Sequence, residues 1–207
     1  MSERIPMDLK RWKALNVDLD AAEDGGEALL RVVKGEGKRM CFDENTYARL
    51  SDFDFHNGVI EVSMLSRLLP DAPDFARGFI GIVFRANPGD SEFESFYVRP
   101  TNAMTDDPVR RAHGCQYFAY PGYTFAYFRE YGIDGYEAPI HSGLDEWIDL
   151  KAVVRDDRAA FYLNGSDAPT LAVDGLKHGP NARGGVGLFV DIGTEGFFKD
   201  LRILRED

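Results

Sequence analysis

The sequence predicts an all-β fold in which two antiparallel sheets pack face to face. Three observations predict it. Apolar and polar residues alternate far more often than apolar residues recur at helical spacing. Gly, Pro and Asn clusters interrupt the alternation, and these breaks come about every 8 to 12 residues. Short strands at this regular spacing are typical of a two-sheet sandwich.

The alternation and the turn residues place the individual strands. In chain order we predict thirteen, at 14–21, 27–33, 40–42, 58–65, 78–86, 92–99, 115–120, 123–131, 147–154, 159–163, 170–173, 185–190 and 197–204. Turns are predicted at 24–26, 56–58, 87–90, 121–122 and 164–165, where Gly and Asn supply positive φ and Pro fixes φ near about −65°. The one helical turn predicted is 107–112, which contains Pro108 and two arginines.

Composition indicates one domain spanning 1–207. The chain has 207 residues, of which 44% are hydrophobic and 13% aromatic, enough to bury a sizeable core.

The net charge of −11 argues against a nucleic-acid partner, because nucleic-acid binding requires a clustered positive surface. No segment is long and apolar enough for a membrane span or a signal peptide, so we expect no membrane partner. A cytoplasmic location is expected if Met1 is the native start, and export otherwise.

No cofactor is expected. The sequence has no P-loop, dinucleotide fingerprint or nucleophile elbow. Two acidic groups, 52–57 and 106–107, could offer oxygen ligands to calcium, but neither follows a loop pattern, and we interpret both as turn residues. The two cysteines, Cys41 and Cys115, do not have the spacing of a disulfide framework. We interpret them as small apolar residues in or near the core, and whether they form a disulfide stays open.

The last third of the chain carries a resemblance. From Trp147 to Leu204 it reads WIDLKAVV, AAFYLNG, TLAV, GGVGLFV and FFKDLRIL. A tryptophan that opens one strand, an Asn-Gly turn and a glycine-flanked strand before the last resemble the end of a concanavalin A-like jelly roll. The resemblance implies a jelly-roll sandwich. That fold carries lectins, glycan-cutting enzymes and interaction modules alike, so it implies no single reaction.

Other segments carry a narrower resemblance, which covers most of the chain from about Phe53 onward. They are FYVRPTNA, DDPVRRAHGCQYFAYPGYTFAYFREYG, GYEAP and DGLKHGPNARGGVGLFVDIGTEGFFKDLRI. They resemble a bacterial LamG or concanavalin A-like group that is similar to the DUF1080, or 3-keto-disaccharide hydrolase-like, domain. This resemblance implies chemistry on glycans and a carbohydrate partner.

Alternation also assigns polar residues to strand faces. Tyr97 and Arg99 lie on the face opposite the apolar Phe96, and Arg85 shares a face with Val83. Glu61 likewise opposes an apolar face, and the predicted strand 123–131 carries Tyr and Arg along one side. If these strands are neighbours in one sheet, their outer face is a patch of arginine, tyrosine and carboxylate.

Such a patch suits a saccharide, which stacks on aromatic rings while Arg and amide groups hydrogen-bond its hydroxyls. The residues predicted to bind substrate are Arg85, Tyr97, Arg99, Asn102, Arg111, Gln116, Tyr123, Tyr127, Arg129 and Tyr136. The alternative is that these side chains cover a solvated sheet face and pair with its own carboxylates.

The catalytic candidates are Glu137, His113 and Glu61, with Glu94, Glu130 and Asp191 as further carboxyls. Glycoside hydrolysis needs two carboxyls about 5 to 9.5 Å apart. The E-x-D-x-x-E strand motif of jelly-roll glucanases is absent, which counts against retaining hydrolysis. His113 could act as a base or be a hydrogen-bonded loop residue.

Three functions therefore stay open: a carbohydrate-binding protein, an enzyme on a glycan or keto-sugar, and an interaction domain whose Tyr-rich face joins copies of the chain. The oligomeric state is not predicted.

Four residues are assigned a structural role: Trp147, Gly185, Gly187 and Phe198. We expect Trp147 to pack at a sheet edge and the glycines to let the two sheets or a bulge approach closely.

Overall fold

The computed structural model describes residues 2–206, which form fifteen strands and three short α-helices. The strands are β1 (Glu3–Arg4), β2 (Trp12–Leu15), β3 (Val17–Asp24), β4 (Glu27–Lys34), β5 (Tyr47–Leu50), β6 (Asn57–Leu68), β7 (Ile80–Ala86), β8 (Phe93–Val98), β9 (Cys115–Tyr120), β10 (Glu137–Ala138), β11 (Trp147–Arg155), β12 (Arg158–Leu163), β13 (Leu171–Asp174), β14 (Gly185–Val190) and β15 (Thr194–Glu206). The helices are α1 (Pro100–Ala103), α2 (Pro108–Ala112) and α3 (Phe125–Glu130).

Two antiparallel sheets form a sandwich, as the sequence predicts. Sheet I has the order β13-β12-β11-β6-β15-β4-β3, and β1 also pairs with β15. Sheet II has the order β10-β9-β8-β7-β14-β5-β2. Strands that are close in sequence, such as β6 and β7, lie in different sheets. No helix within residues 2–206 is long and apolar enough to cross a membrane.

The core lies between the inner faces of the two sheets. Phe96 of sheet II stacks on Phe161 of sheet I with ring centroids 4.2 Å apart, and both side chains are fully buried. Phe198 and Trp12 are also buried in this core. Alternate residues of each strand supply the core, which is why period-2 alternation in the sequence predicts it well.

The outer face of sheet II is apolar too, which alternation alone does not predict. Its buried members are Tyr47, Phe79, Val83, Ala86, Phe93, Tyr97, Phe118 and Phe189. Strands β7, β8, β9 and β14 are consequently buried on both faces along nearly their whole length. Gly187 belongs to this face: a Cβ there would lie 2.5 Å from the Tyr47 ring, so the predicted close approach at this glycine is confirmed.

Three of the predicted strands are broken, absent or helical in the structure. The predicted strand 14–21 is split at Asn16, whose φ of +50° breaks the chain between β2 and β3. Residues 40–42 form no strand, and β5 takes that place a few residues later. The predicted strand 123–131 is mostly helix α3. Residues four apart lie on the same face of a strand and of a helix, so the pattern of so short a run does not distinguish the two. The helical turn predicted at 107–112 is confirmed as α2, which Asp107 caps.

Trp147 is not a core residue. It lies half-buried on the outer face of sheet I, while its neighbour Ile148 points into the core. The Lys199 ammonium lies 4.4 Å from its ring centroid. The tryptophan therefore covers the outer surface of sheet I and a cation. Because β11 lies between β12 and β6, the predicted position at a sheet edge is wrong.

Candidate functional site

A pocket of about 370 Å³ opens on the outer face of sheet II, where β8 and β14 end and β7 begins. Four chain segments rise around it: 40–46, 70–79, 99–114 and 121–133. The lining residues are Phe42, Asp43, Phe75, Arg77, Phe79, Tyr97, Arg99, Asn102, Val109, Arg110, His113, Phe125, Arg129 and Asp191.

Aromatic side chains from three segments meet at the pocket. The Phe42 ring lies 5.3 Å from that of Phe75 and 6.3 Å from that of Phe125. Phe42 is 47% exposed and Phe75 is 37% exposed, so both keep apolar surface in contact with solvent. Large exposed aromatic rings gathered at one opening are unusual for a surface that has no ligand.

Arg99 organises the polar floor of the pocket. Its guanidinium donates to Glu137 Oε1 at 2.6 Å, to the Tyr97 hydroxyl at 2.7 Å and to the His113 carbonyl at 3.2 Å. It also donates to Gln116 Oε1, which accepts a further bond from Tyr97 at 3.0 Å. Arg99 is only 5% exposed. Four protein partners therefore fix the orientation of this side chain.

Glu137 is surrounded by positive or protonatable groups. It lies on β10, where it pairs with Gln116 of β9. Besides Arg99, the His113 Nδ1 atom lies 2.8 Å from Glu137 Oε2, and a guanidinium nitrogen of Arg129 lies 3.5 Å from Oε1. The negative charge of this carboxylate is therefore neutralised within the protein.

A second acidic group, formed by Asp43 and Asp191, also lines the pocket. Lys34, at the end of β4, donates to Asp191 Oδ1 and to the carbonyl of Cys41. Burial raises the pKa of Asp191, and the Lys34 ammonium counteracts that rise. Asp43 lies beside this pair, with its backbone N–H 3.4 Å from Asp191 Oδ2. Burial and the neighbouring charge of Asp191 raise the pKa of Asp43 from 3.8 to about 7.

The raised pKa of Asp43 predicts a particular dependence of stability on pH. Between about pH 3.8 and 7 the folded chain binds more protons at Asp43 than the unfolded chain, so this residue lowers stability as pH rises through that window. Asp43→Asn should therefore raise the free energy of unfolding by roughly 1 to 3 kcal/mol at pH 8 and by little below pH 3.8. The gain is this small because Asp43 is half-buried and solvent screens part of its charge. Urea unfolding across pH measures this gain, with the exposed Asp134→Asn as control. A gain independent of pH would contradict the prediction.

Solved structures resemble this architecture. The carbohydrate-binding module CBM66 from Bacillus subtilis superimposes with a TM-score of 0.58 at 14% identity, over 92% of this chain and 93% of that chain. A protein of unknown function with a galectin-like fold, also from Bacillus subtilis, gives 0.54 at 15% identity, over 96% and 92%. The fold is a galectin-like jelly roll. The Crh5 transglycosylase in complex with NAG has the same jelly roll, with a TM-score of 0.57 at 15% identity, over 100% and 84%.

The chain matches no protein-family model and no curated protein sequence. The narrower resemblance to the LamG and DUF1080-like group thus stays a prediction. Because these structural likenesses are at 14 to 15% identity, they show the jelly-roll fold alone.

The jelly roll brings seven of the predicted site residues to one place. Around the pocket floor lie Tyr97, Arg99, Asn102, His113, Gln116, Arg129 and Glu137. Asn102 donates to the His113 carbonyl at 2.8 Å, which ties α1 to the segment before β9. Period-2 alternation in β8 correctly placed Tyr97 on the outer face of sheet II.

Arg85 and Glu61 do not join this group. Arg85 has a φ of +56° and sits at a bulge, where the register of β14 against β7 shifts between Gly185 and Gly187. Its side chain donates to the His56 carbonyl at 2.8 Å and to Asn57 Oδ1 at 3.0 Å, away from the pocket. Glu61 belongs to β6 in sheet I, so it lies on the opposite face of the sandwich.

The other predicted binding residues pack outside the pocket. Tyr123 and Tyr127 contact each other, with ring centroids 5.1 Å apart. Tyr136 stacks on Phe128 at 4.3 Å. Arg111 is exposed on α2 and is not a lining residue. Tyr127 lies on helix α3, which the sequence pattern represented as a strand.

Several lining residues were missed by sequence reasoning: Phe42, Asp43, Phe75, Arg77, Phe79, Val109, Arg110 and Phe125. Most lie in loops, where alternation carries no information. The available signal was a phenylalanine between turn residues, as in PDAPDFARG around Phe75. Within residues 2–206 no group of three or more His, Cys, Asp and Glu side chains is arranged to hold a metal ion.

Proposed function

We propose that this protein binds a saccharide in the pocket over sheet II. The observation that carries the proposal is the meeting of Phe42, Phe75 and Phe125 with arginine and amide groups in one opening. Aromatic faces stack on the apolar face of a sugar ring, while guanidinium and amide groups hydrogen-bond its hydroxyls in fixed directions. The pocket volume of about 370 Å³ lies in the ordinary range for small-molecule sites.

The comparisons support the proposal at the level of the fold. The similar structures include a carbohydrate-binding module and a transglycosylase in complex with NAG. The preorganised floor supports it at the level of chemistry, because Arg99 is held by four protein partners and loses little freedom when a ligand binds.

Removing one aromatic wall should weaken binding without unfolding the protein. Phe42→Ala is expected to raise the Kd for a bound saccharide about 5- to 10-fold, because a stacking surface is lost. Since Phe42 is 47% exposed, the free energy of unfolding should change by less than about 1 kcal/mol. A thermal-shift screen against neutral, acidic and 3-keto saccharides identifies the ligand, and calorimetry then gives the Kd.

The matched control is Tyr131→Ala, which removes an aromatic side chain that is 63% exposed and does not line the pocket. Its Kd should equal that of the unchanged protein. Equal affinities for Phe42→Ala and the unchanged protein would contradict the proposed site, and a screen in which no saccharide raises the melting temperature would contradict the function.

A second candidate function, hydrolysis of a glycosidic bond, is favoured by one observation. Asp43 and Asp191 line the same pocket, and burial and the charge of Asp191 raise the pKa of Asp43 to about 7, so part of the Asp43 population is protonated near neutral pH. A protonated carboxyl can donate to a leaving-group oxygen while a second carboxyl assists. Incubation of the screened saccharides with the protein should then release product, and Asp43→Asn should abolish release while retaining binding. Binding without product supports the first proposal alone.

A further inference from the structure

The charges that line the pocket do not balance. Four arginines line it, Arg77, Arg99, Arg110 and Arg129, against two carboxyls, Asp43 and Asp191. Asp191 is paired with Lys34, and the nearby Glu137 is paired with Arg99. Asp43 is protonated in a large share of molecules near neutral pH. The pocket therefore carries a net positive charge inside a protein whose formal net charge is −11.

Two of these arginines have no carboxylate partner within the described chain. Arg77 donates to the backbone carbonyls of Asp74 and Ala76, at 2.7 and 2.8 Å. Arg110 makes one long bond, 3.4 Å, to Asn102 Oδ1, and its Nε atom is buried with no hydrogen-bond partner among residues 2–206. Partly buried guanidinium groups with donors left unused are unfavourable, so they indicate a missing acceptor.

The arginines also repel one another. Burial lowers the pKa of Arg77, and the charges of Arg110 and Arg99 lower it further. Like charges gathered in a partly desolvated pocket raise the energy of the empty protein, and an anion placed between them would relieve that cost. A planar guanidinium binds a carboxylate or a sulfate through two parallel hydrogen bonds.

We infer that the ligand of this pocket is an acidic saccharide, whose carboxylate or sulfate group is bound by Arg77 and Arg110. The inference rests on the proposed function and names its substrate class. The aromatic walls take the sugar ring, and the two unpaired guanidinium groups take the negative substituent. Arg99 already donates four hydrogen bonds to protein groups through its two terminal nitrogens and holds the floor in place.

The test compares saccharides that differ only in charge. The probes are uronic-acid oligosaccharides and their carboxyl-reduced forms, and sulfated oligosaccharides and their desulfated forms, together with a panel of neutral oligosaccharides. Calorimetry on the full chain gives each Kd. Carboxyl reduction that abolishes binding assigns the group as a carboxylate, and desulfation that abolishes binding assigns it as a sulfate.

Matched variants locate the binding groups. Arg77→Gln and Arg110→Gln should each raise the Kd for the acidic probe about 10- to 100-fold, because a charge-assisted pair is lost. Arg111→Gln is the control: it removes the same charge from the same helix as Arg110, but from an exposed position outside the pocket. Its Kd should change less than about 2-fold. Thermal unfolding without ligand should show Arg77→Gln at least as stable as the unchanged protein, since repulsion is relieved.

The outcomes separate this inference from the proposed function. If neutral saccharides bind in the pocket as tightly as acidic ones, and Arg77→Gln leaves the Kd unchanged, the acidic class is wrong and saccharide binding stands. If Arg111→Gln weakens binding as much as Arg110→Gln, the attraction is general and the assigned arginines are wrong. If none of the probes binds, both proposals fail.

Discussion

Lys34→Met is expected to lower the free energy of unfolding by about 3 to 5 kcal/mol at pH 8. Lys34 and Asp191 are both buried, with side chains 2% and 6% exposed, and they join β4 of sheet I to the end of β14 in sheet II. Methionine fills a similar volume but leaves the Asp191 carboxylate buried without a counter-charge. The same ammonium holds the Cys41 carbonyl, so the segment carrying Phe42 should loosen and the Kd for ligand should rise as well.

The deficit of Lys34→Met should depend on pH with a defined sign. Burial already raises the pKa of Asp191, and removing Lys34 should raise it further. Protonation then relieves the buried charge, so the loss of stability should be smaller at pH 5 than at pH 8. Guanidinium unfolding at both pH values measures it.

Two further variants test whether the effect belongs to the ion pair. Lys34→Met with Asp191→Asn should be more stable than Lys34→Met alone, because no unpaired charge stays buried. Lys38→Met, which removes a more exposed lysine paired with Glu44, should change stability little. A deficit that is equal at both pH values and is not relieved in the double variant would show that lost packing, not charge, sets the cost.

The architecture could be predicted from the sequence because alternation and turn residues are local signals. Strands 115–120 and 185–190 were placed with the bounds that the structure gives, since glycine or proline flanks each one. Which strands share a sheet is not local information. Glu61 was grouped with Arg99 because both oppose apolar residues, but their strands lie in different sheets.

The candidate site was predictable only in part, for related physical reasons. Tyr97 and Arg99 were found because an uninterrupted strand keeps alternate residues on one face. Arg85 was misplaced because one extra residue at a bulge reverses that alternation. Phe42 and Phe75 come together only because separate loops fold over sheet II, and contacts between loops distant in sequence leave no periodic pattern.

Arg99→Met is the second change expected to have a large effect, about 3 to 5 kcal/mol of stability together with loss of ligand binding. The guanidinium is 5% exposed and joins Glu137, the Tyr97 hydroxyl and the His113 carbonyl, so its removal leaves several buried acceptors unsatisfied. Chemical unfolding gives the stability, and calorimetry with the identified saccharide gives the Kd.

Arg99→Lys separates the charge of this residue from its shape. A lysine ammonium can still pair with Glu137, but it cannot reach the Tyr97 hydroxyl and Gln116 Oε1 in the directions that the planar fork reaches. We therefore expect a smaller loss of stability, about 1 to 3 kcal/mol, with binding still weakened because the floor loses its fixed geometry. Arg67→Met, which breaks an exposed pair with Asp145, should cost less than about 1 kcal/mol. If Arg99→Lys bound the saccharide as tightly as the unchanged protein, the positive charge alone would be sufficient at this position, and the rigid floor would have no part in recognition.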